Sequence, residues 1–223
     1  MSEQTTTSRS ARLLGVDSQI TPWLSIGLGL TGLLMRVKPR LAAVPLAFTA
    51  ATALLYRDPE RKTPVDAECL FAPADAQIDS IDEFYEHRYL HTEAVRISMT
   101  VSALAVPVHR SPVDGVVECL ERVPASPQSA WDVSAGLAPE MLTIGLMTEW
   151  GPMMLEVTAS QLGRSIECLV SEGQSVRAGE RLVKARLGSH LNFVVARDLA
   201  NMLPEPGERV VAGRTRLSQI VPW

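Results

Sequence analysis

Cysteine is scarce in this chain of 223 residues: only Cys69, Cys119 and Cys168 occur, far apart and with no Cys-x-x-Cys pair. That excludes a disulfide framework and a clustered metal knuckle, leaves three core residues, and makes a reducing compartment the default. An excess of positive charge is missing as well. Twenty-one Lys and Arg stand against 25 Asp and Glu, a net charge of −4, which argues against a nucleic-acid backbone as the main partner. Aromatic residues make up 5% and charged residues 21%, yet 46% are hydrophobic, so a long disordered tail, a collagen-like chain or a coiled-coil rod is excluded. There is no dinucleotide fingerprint and no phosphate loop. The exposed Lys between two Met that a swinging-arm carrier needs is also absent.

What is present is unevenly distributed. Residues 1–56 hold Arg9, Arg12, Arg36, Lys38 and Arg40 against Glu3 and Asp17 alone, so this end is positive and the remainder negative. Two apolar runs, Trp23 to Met35 and Leu41 to Tyr56, flank the basic stretch Arg36-Val-Lys-Pro-Arg40, which predicts two helices joined by a basic turn. Each run spans roughly 20 to 24 Å as a helix, short of the roughly 30 Å hydrocarbon core. The expectation is a polar tail over 1–20, then a hairpin over 21–57 inserted into one leaflet. Arg36, Lys38, Arg40, Arg57, Arg61 and Lys62 would meet anionic head groups on the cytoplasmic face of the cell membrane. A buried helical hairpin is the alternative, and the polar start speaks against a cleaved signal peptide.

From residue 58 onward the texture changes to short β-branched runs punctuated by Pro, Gly and Asp. They are Ala94–Met99, Gly115–Leu120, Met141–Met147, Met153–Thr158, Ser165–Val170, Arg181–Ala185, Leu191–Val195 and Arg209–Val211. Such spacing predicts a mainly β (α+β) protein whose domain over 58–223 is an antiparallel sandwich or barrel. Residues 121–140 read as a long loop of the kind that covers a site. Ala72-Pro-Ala-Asp-Ala-Gln-Ile78 is echoed by Ser111-Pro-Val-Asp-Gly-Val-Val117, each segment opening a strand after a Pro-fixed corner. Glu172 to Leu182, with Gly173 and Gly179 six apart, has the spacing of a hairpin turn in a lipoyl-like (barrel-sandwich hybrid) fold.

Arg186-Leu-Gly-Ser-His190 lies between two strand-like runs, where Gly188 permits a strained turn before Ser189. Together with Tyr56-Arg-Asp-Pro-Glu-Arg61, Phe71-Ala-Pro-Ala-Asp75, Arg110-Ser-Pro-Val-Asp-Gly115 and the Glu172–Leu182 segment, it completes a series of five motifs. In order and spacing this series resembles the short form of the phosphatidylserine decarboxylases, from about residue 22 to about residue 215. The resemblance implies a proenzyme that cuts itself between Gly188 and Ser189 into a β chain, 1–188, and an α chain, 189–223. It further implies that Ser189 becomes a covalent pyruvoyl group, the only cofactor, which forms a Schiff base with the amine of a serine-headed phospholipid and decarboxylates it to the ethanolamine-headed product. The partners implied are the phospholipid, the membrane surface and a second subunit, as a homodimer or as the β/α pair left by cleavage; no resident metal is expected.

Serine needs a base. By resemblance Asp75 is the first candidate, although Ala76 replaces the Gly that follows it in the family and disfavours a positive φ there. The alternative for Asp75 is a turn cap. Short members carry a His three residues before Arg110, where this chain has Pro107. His109 lies two residues on and on the same strand face, roughly 6 to 7 Å away, so it can take over the role if strand or substrate shifts; otherwise it is a His without chemistry. His190 either borders the new pyruvoyl group or is a bystander. Arg57, Arg61 and Arg110 are candidates for holding the lipid phosphate, from charge alone. His87 and His91, spaced i, i+4, permit a shared helix face and a metal, against the reading of an exposed linker. Pro107, Ala76 and the absence of an Asp at Ala105 motivate the competing view of a non-catalytic membrane scaffold or lipid-binding module.

Overall fold

The computed structural model describes residues 21–55, 58–64, 68–124, 126–127, 137–161, 163, 165–202 and 204–219. The chain divides into two compact units, 1–60 and 61–223.

In the first unit, α1 (Thr21–Val37) and α2 (Pro39–Leu55) are separated by Lys38 alone. Leu, Ala and Met supply helix propensity, and Pro39 fits the first turn of α2, where no N–H partner is needed. Small residues bring the helices together: a Cβ on Gly27 would collide with the Thr49 hydroxyl, and Thr31 and Thr49 are buried. Their hydroxyls donate back to the carbonyls of Gly27 and Pro45, at 2.8 and 2.7 Å. Elsewhere large apolar side chains stay exposed, Trp23 at 70% and Phe48 at 76% among them, and the exposed cations Arg36, Lys38 and Arg40 cluster at the turn. No described helix is long and apolar enough to cross a membrane.

The second unit is mainly β and antiparallel, and it is built as one repeat inserted into another. The outer repeat opens with β1 (Cys69–Phe71), β2 (Ala76–Glu86) and β3 (Thr92–Val101). The inner repeat follows with β4 (Val108–Arg110), β5 (Gly115–Val123), the short pair β6 (Ser126–Pro127) and β7 (Leu137–Ala138), β8 (Met141–Thr148), β9 (Gly151–Ala159), β10 (Ile166–Cys168), β11 (Ser175–Val176) and β12 (Arg181–Ala185). The outer repeat then resumes with β13 (Ser189–Ala196), β14 (Arg209–Val210) and β15 (Arg216–Gln219). The main sheet runs β11-β5-β8-β9-β13-β3-β2-β14, an order that reads the same from both ends once β2 is matched to β5, β3 to β8, β13 to β9 and β14 to β11. Register agrees: bulges fall between Ile78 and Ser80 and between Val117 and Cys119, at matching places in the two repeats.

The two echoed corners meet reciprocally. The Arg110 N–H donates to the Pro73 carbonyl at 2.7 Å, and the Phe71 N–H donates to the Pro112 carbonyl at 2.9 Å. Each corner aspartate accepts a distant N–H, Asp75 from Ala212 at 2.9 Å and Asp114 from Ala178 at 2.6 Å. Neither Ala76 nor Gly115 has a positive φ, so the expected penalty for Ala76 does not arise. Gly115 is small for another reason: a Cβ there would lie 2.7 Å from the Met147 carbonyl oxygen.

The repeat sets up the site. In the inner copy β8 turns into β9 through Glu149 and Trp150 alone. At the matching place in the outer copy, the whole inner repeat intervenes between Val101 and Ser189, which are themselves cross-strand partners. Leu191, Phe193 and Val195 of β13 enter the main core with Ile97, Ile144 and Leu155, each at most 1% exposed.

Two expectations need correction, and a third segment follows one of the two readings given for it. Gly173 and Gly179, with φ of +79° and +81°, do not share one tight turn: they lie in two separate turns of a long excursion between the antiparallel partners β10 and β12, and between those turns β11 pairs with the edge of β5. Residues 87–90 follow the reading of an exposed linker: they form a turn between β2 and β3 in which the Glu86 carboxylate accepts the N–H groups of Arg88, Tyr89 and Leu90, and the alternative of a shared helix face does not arise. His87 and His91 are exposed on it, and no metal-holding cluster occurs among the described residues. β5 persists to Val123, into the expected loop, whose middle lies outside the described residues.

Candidate active site

Ser189 is the first residue of β13 and is flanked by a strand on each side, its Cα partners being Val101 of β3 and Ala159 of β9. Such pairing holds its backbone while the side chain turns inward, 3% exposed. The two residues before it are bent the opposite way. Leu187 has φ +61° and Gly188 has φ +90°. A left-handed Leu costs about 1–2 kcal/mol, which surrounding contacts must offset. Gly188 is required twice over, by its φ and by space, since a Cβ would lie 3.0 Å from the Val101 carbonyl oxygen. Gly188→Ala is therefore expected to slow any chemistry at this bond at least tenfold, read from the time course of fragment appearance on denaturing gels.

His109, in the middle of the three-residue β4, is fully buried opposite Val183 of β12. Its Nε2 lies 3.1 Å from the Ser189 Oγ. Burial lowers its pKa to about 4, while the negative charge of Asp75 pulls weakly the other way. At neutral pH the imidazole is thus uncharged and one ring nitrogen carries a lone pair. Nδ1 is buried without a hydrogen-bond partner. Pro107 lies before β4, and its carbonyl accepts the Ala185 N–H at 2.8 Å. No shift of the strand is needed for His109 to reach the serine.

Asp75 does not contact the serine in this arrangement. Arg61 binds it with both terminal nitrogens, Nη1 to Oδ1 at 2.5 Å and Nη2 to Oδ2 at 2.6 Å, and Ala212 adds a backbone donor. The first-choice base is therefore engaged in an ion pair and acts on the site as a charge beside His109. The same pair removes Arg61 from the candidates for holding phosphate. Arg110 is 3% exposed and its Nη1 donates to the Gly179 carbonyl at 2.8 Å, so it too is a structural cation; Arg57 lies outside the described residues. His190 follows Ser189 on a strand and so faces the opposite side of the sheet, exposed. There its Nδ1 lies 3.1 Å from the Thr100 hydroxyl, which donates to Asp79 at 2.7 Å. It is not part of the buried cluster.

Sequence reading missed Ser160 and the left-handed Leu187. The Ser160 N–H donates to the Gly188 carbonyl at 3.3 Å, and its hydroxyl donates to the Leu187 carbonyl at 2.6 Å. Nothing marks Ser160 in the sequence, since it belongs to no motif and reaches the bend from the end of β9.

A buried serine hydroxyl on an uncharged histidine, beside a carbonyl that already receives an N–H, defines a class: a β protein equipped for nucleophilic chemistry at a backbone bend. Comparison with known proteins specifies it further. The family model described as phosphatidylserine decarboxylase matches residues 48–218. The phosphatidylserine decarboxylase proenzyme of Symbiobacterium thermophilum is 31% identical over 200 residues, covering 89% of this chain and 93% of that protein. The proenzyme of the same name from Desulfotalea psychrophila is 31% identical over 177 residues, covering 79% and 82%, and that from Salinibacter ruber 34% over 168 residues, covering 74% of each. The chain belongs to the phosphatidylserine decarboxylase family.

Proposed function

We propose that this chain is a pyruvoyl-dependent phosphatidylserine decarboxylase that matures by cutting itself between Gly188 and Ser189. The observation that carries the reading is the 3.1 Å approach of the His109 Nε2 to the Ser189 Oγ at a doubly left-handed bend. With its proton on Nδ1, His109 accepts the Ser189 hydroxyl proton at Nε2. The Ser189 Oγ attacks the Gly188 carbonyl carbon; the Gly188–Ser189 C–N bond breaks and the amine takes the proton, leaving an ester. Loss of the α-proton of residue 189 then expels Gly188 as a carboxylate. The dehydroalanine left behind takes up one water and releases one ammonia to give the pyruvoyl group. Ser189 fits such a precursor: it is buried, beside a base, and pinned by strands on both sides. The mature group supplies a carbonyl that binds an amine and accepts the electron pair released with carbon dioxide. His109 remains beside it as the residue able to hold and return a proton.

The twofold repetition of corner, strand and short edge strand supports a lipoyl-like origin for the fold. The exposed apolar flanks of α1 and α2 and the cations Arg36, Lys38 and Arg40 support attachment to an anionic leaflet on its cytoplasmic side. Withdrawing a diacyl lipid into water would expose its chains at about 0.8 kcal/mol per CH₂, so an enzyme for this substrate gains by working at the bilayer. The test is release of labelled carbon dioxide from phosphatidylserine, labelled in the serine carboxyl, in detergent micelles with the fully processed protein. Phosphatidylethanolamine should appear in equal amount, and free serine should release at least a hundredfold less. Equal rates on free serine, or no release from the lipid by a fully cut chain, would overturn the reading.

A further inference from the structure

The residues preceding the bend face a second element, the segment that follows β9. Ser160 stands at its start and contacts the bend twice. Its hydroxyl donates to the Leu187 carbonyl at 2.6 Å and accepts the Gly163 N–H at 2.9 Å, which turns the hydroxyl proton toward Leu187. Its own N–H points at the Gly188 carbonyl oxygen, at 3.3 Å. That oxygen takes the negative charge when the Ser189 Oγ attacks, and a long ground-state bond that shortens as the carbon becomes tetrahedral stabilises the transition state more than the starting peptide.

The segment is itself anchored. The Glu140 carboxylate accepts the Ile166 N–H at 2.8 Å and pairs with Arg122, and the Glu140 carbonyl accepts the Ala159 N–H at 2.9 Å. Gly163 lies so close to the Arg186 carbonyl that a Cβ would collide with it. Ser160 is therefore held from behind while it holds two successive carbonyls in front.

We propose that Ser160 is the positioning residue of self-cleavage: its hydroxyl fixes the Leu187 carbonyl so that the Gly188 carbonyl faces the Ser189 Oγ, and its backbone N–H receives the oxyanion. The proposal rests on the self-cleavage reading above and adds to it a residue outside the Ser189–His109 pair. No additional reactant is involved, since the Ser160 hydroxyl keeps its proton throughout.

The experiment follows freshly translated full-length chain in a cell-free system, with fragment appearance read on denaturing gels with and without neutral hydroxylamine, which traps the ester. Ser160→Ala should slow appearance of the fragments about tenfold, the kinetic worth of one strong hydrogen bond. It should slow hydroxylamine-driven cleavage equally, because formation of the ester is impaired. Ser160→Thr, which keeps the hydroxyl, should recover most of the rate, and Gly163→Ala, which displaces the segment, should be as slow as Ser160→Ala. The proposal is overturned if Ser160→Ala matches the parent rate or if Thr is as slow as Ala. It is also overturned if hydroxylamine restores the parent rate to Ser160→Ala, which would place the defect after the ester. A parent chain that never cuts would sink the self-cleavage reading itself, a result separate from all of these.

Discussion

Ser189→Ala is expected to leave one uncut chain of 223 residues with no decarboxylase activity, whereas the parent chain is expected to resolve under denaturing conditions into fragments of 188 and 35 residues. No other single substitution should have a larger effect, because both the attacking oxygen and the precursor of the electron acceptor are lost with one atom. The smaller fragment should resist Edman degradation and be lighter, by one ammonia, than the same peptide beginning with serine. Without denaturant the two fragments should elute together. β13 keeps its pairing with β3 from Ser189 to Ala196 and with β9 from Ser189 to Val194, while β14 pairs with β2 and β15 with β1. Cutting one peptide bond at the head of β13 removes none of these ladders. His109→Ala should slow the cut by about 10² to 10⁴, the usual worth of a positioned general base. A chain that stays whole over long incubation, with serine intact at 189, would favour the non-catalytic scaffold.

The parts of this arrangement that the sequence made legible are local. The runs Arg181–Ala185 and Met141–Met147 alternate or concentrate β-branched and apolar residues, and both are strands. The echo at Ala72–Ile78 marked where β2 opens, but its length to Glu86 was hidden because Asp79, Asp82, Glu83 and Glu86 interrupt its hydrophobicity: β14 covers only its first two residues, and most of its outward face meets solvent. The corners at Asp75 and Asp114 were visible as an echo, yet their relation, one repeat threaded into the other, depends on pairings more than a hundred residues apart in the chain. Asp75 read as the base because motifs record residue type and order. That Arg61 holds its carboxylate from fourteen positions earlier is a matter of three-dimensional packing, as is the approach of His109 to Ser189 from eighty positions away. The departure at Pro107 looked like a loss of function on paper. In the fold, it is the histidine two residues on, fully buried, that meets the serine.

Acid should separate His109 from Asp75 as the base. The histidine has its pKa lowered by burial to about 4, so the cutting rate should be flat from neutral pH down to about 5 and halve near 4. The acid limb alone does not name the base, and the two candidates are told apart by Asp75→Asn. If His109 is the base, that variant still cuts, and its acid limb moves to lower pH because the charge that favours the imidazolium has gone. If Asp75 is the base, the variant does not cut. The same shift is a statement about stability. Between the folded value of about 4 and the ordinary 6.5, the unfolded chain binds a proton that the folded chain refuses. Stability from this group is complete above pH 6.5 and falls as the pH drops toward 4, by about 3 kcal/mol over the interval. Urea unfolding of the uncut Ser189→Ala chain at pH 7 and pH 4.5 should show this loss, and adding His109→Gln should remove most of the difference. Equal losses in the two chains would mean that the imidazole is not kept neutral by its surroundings, and a base held uncharged at neutral pH would no longer explain the chemistry at Gly188.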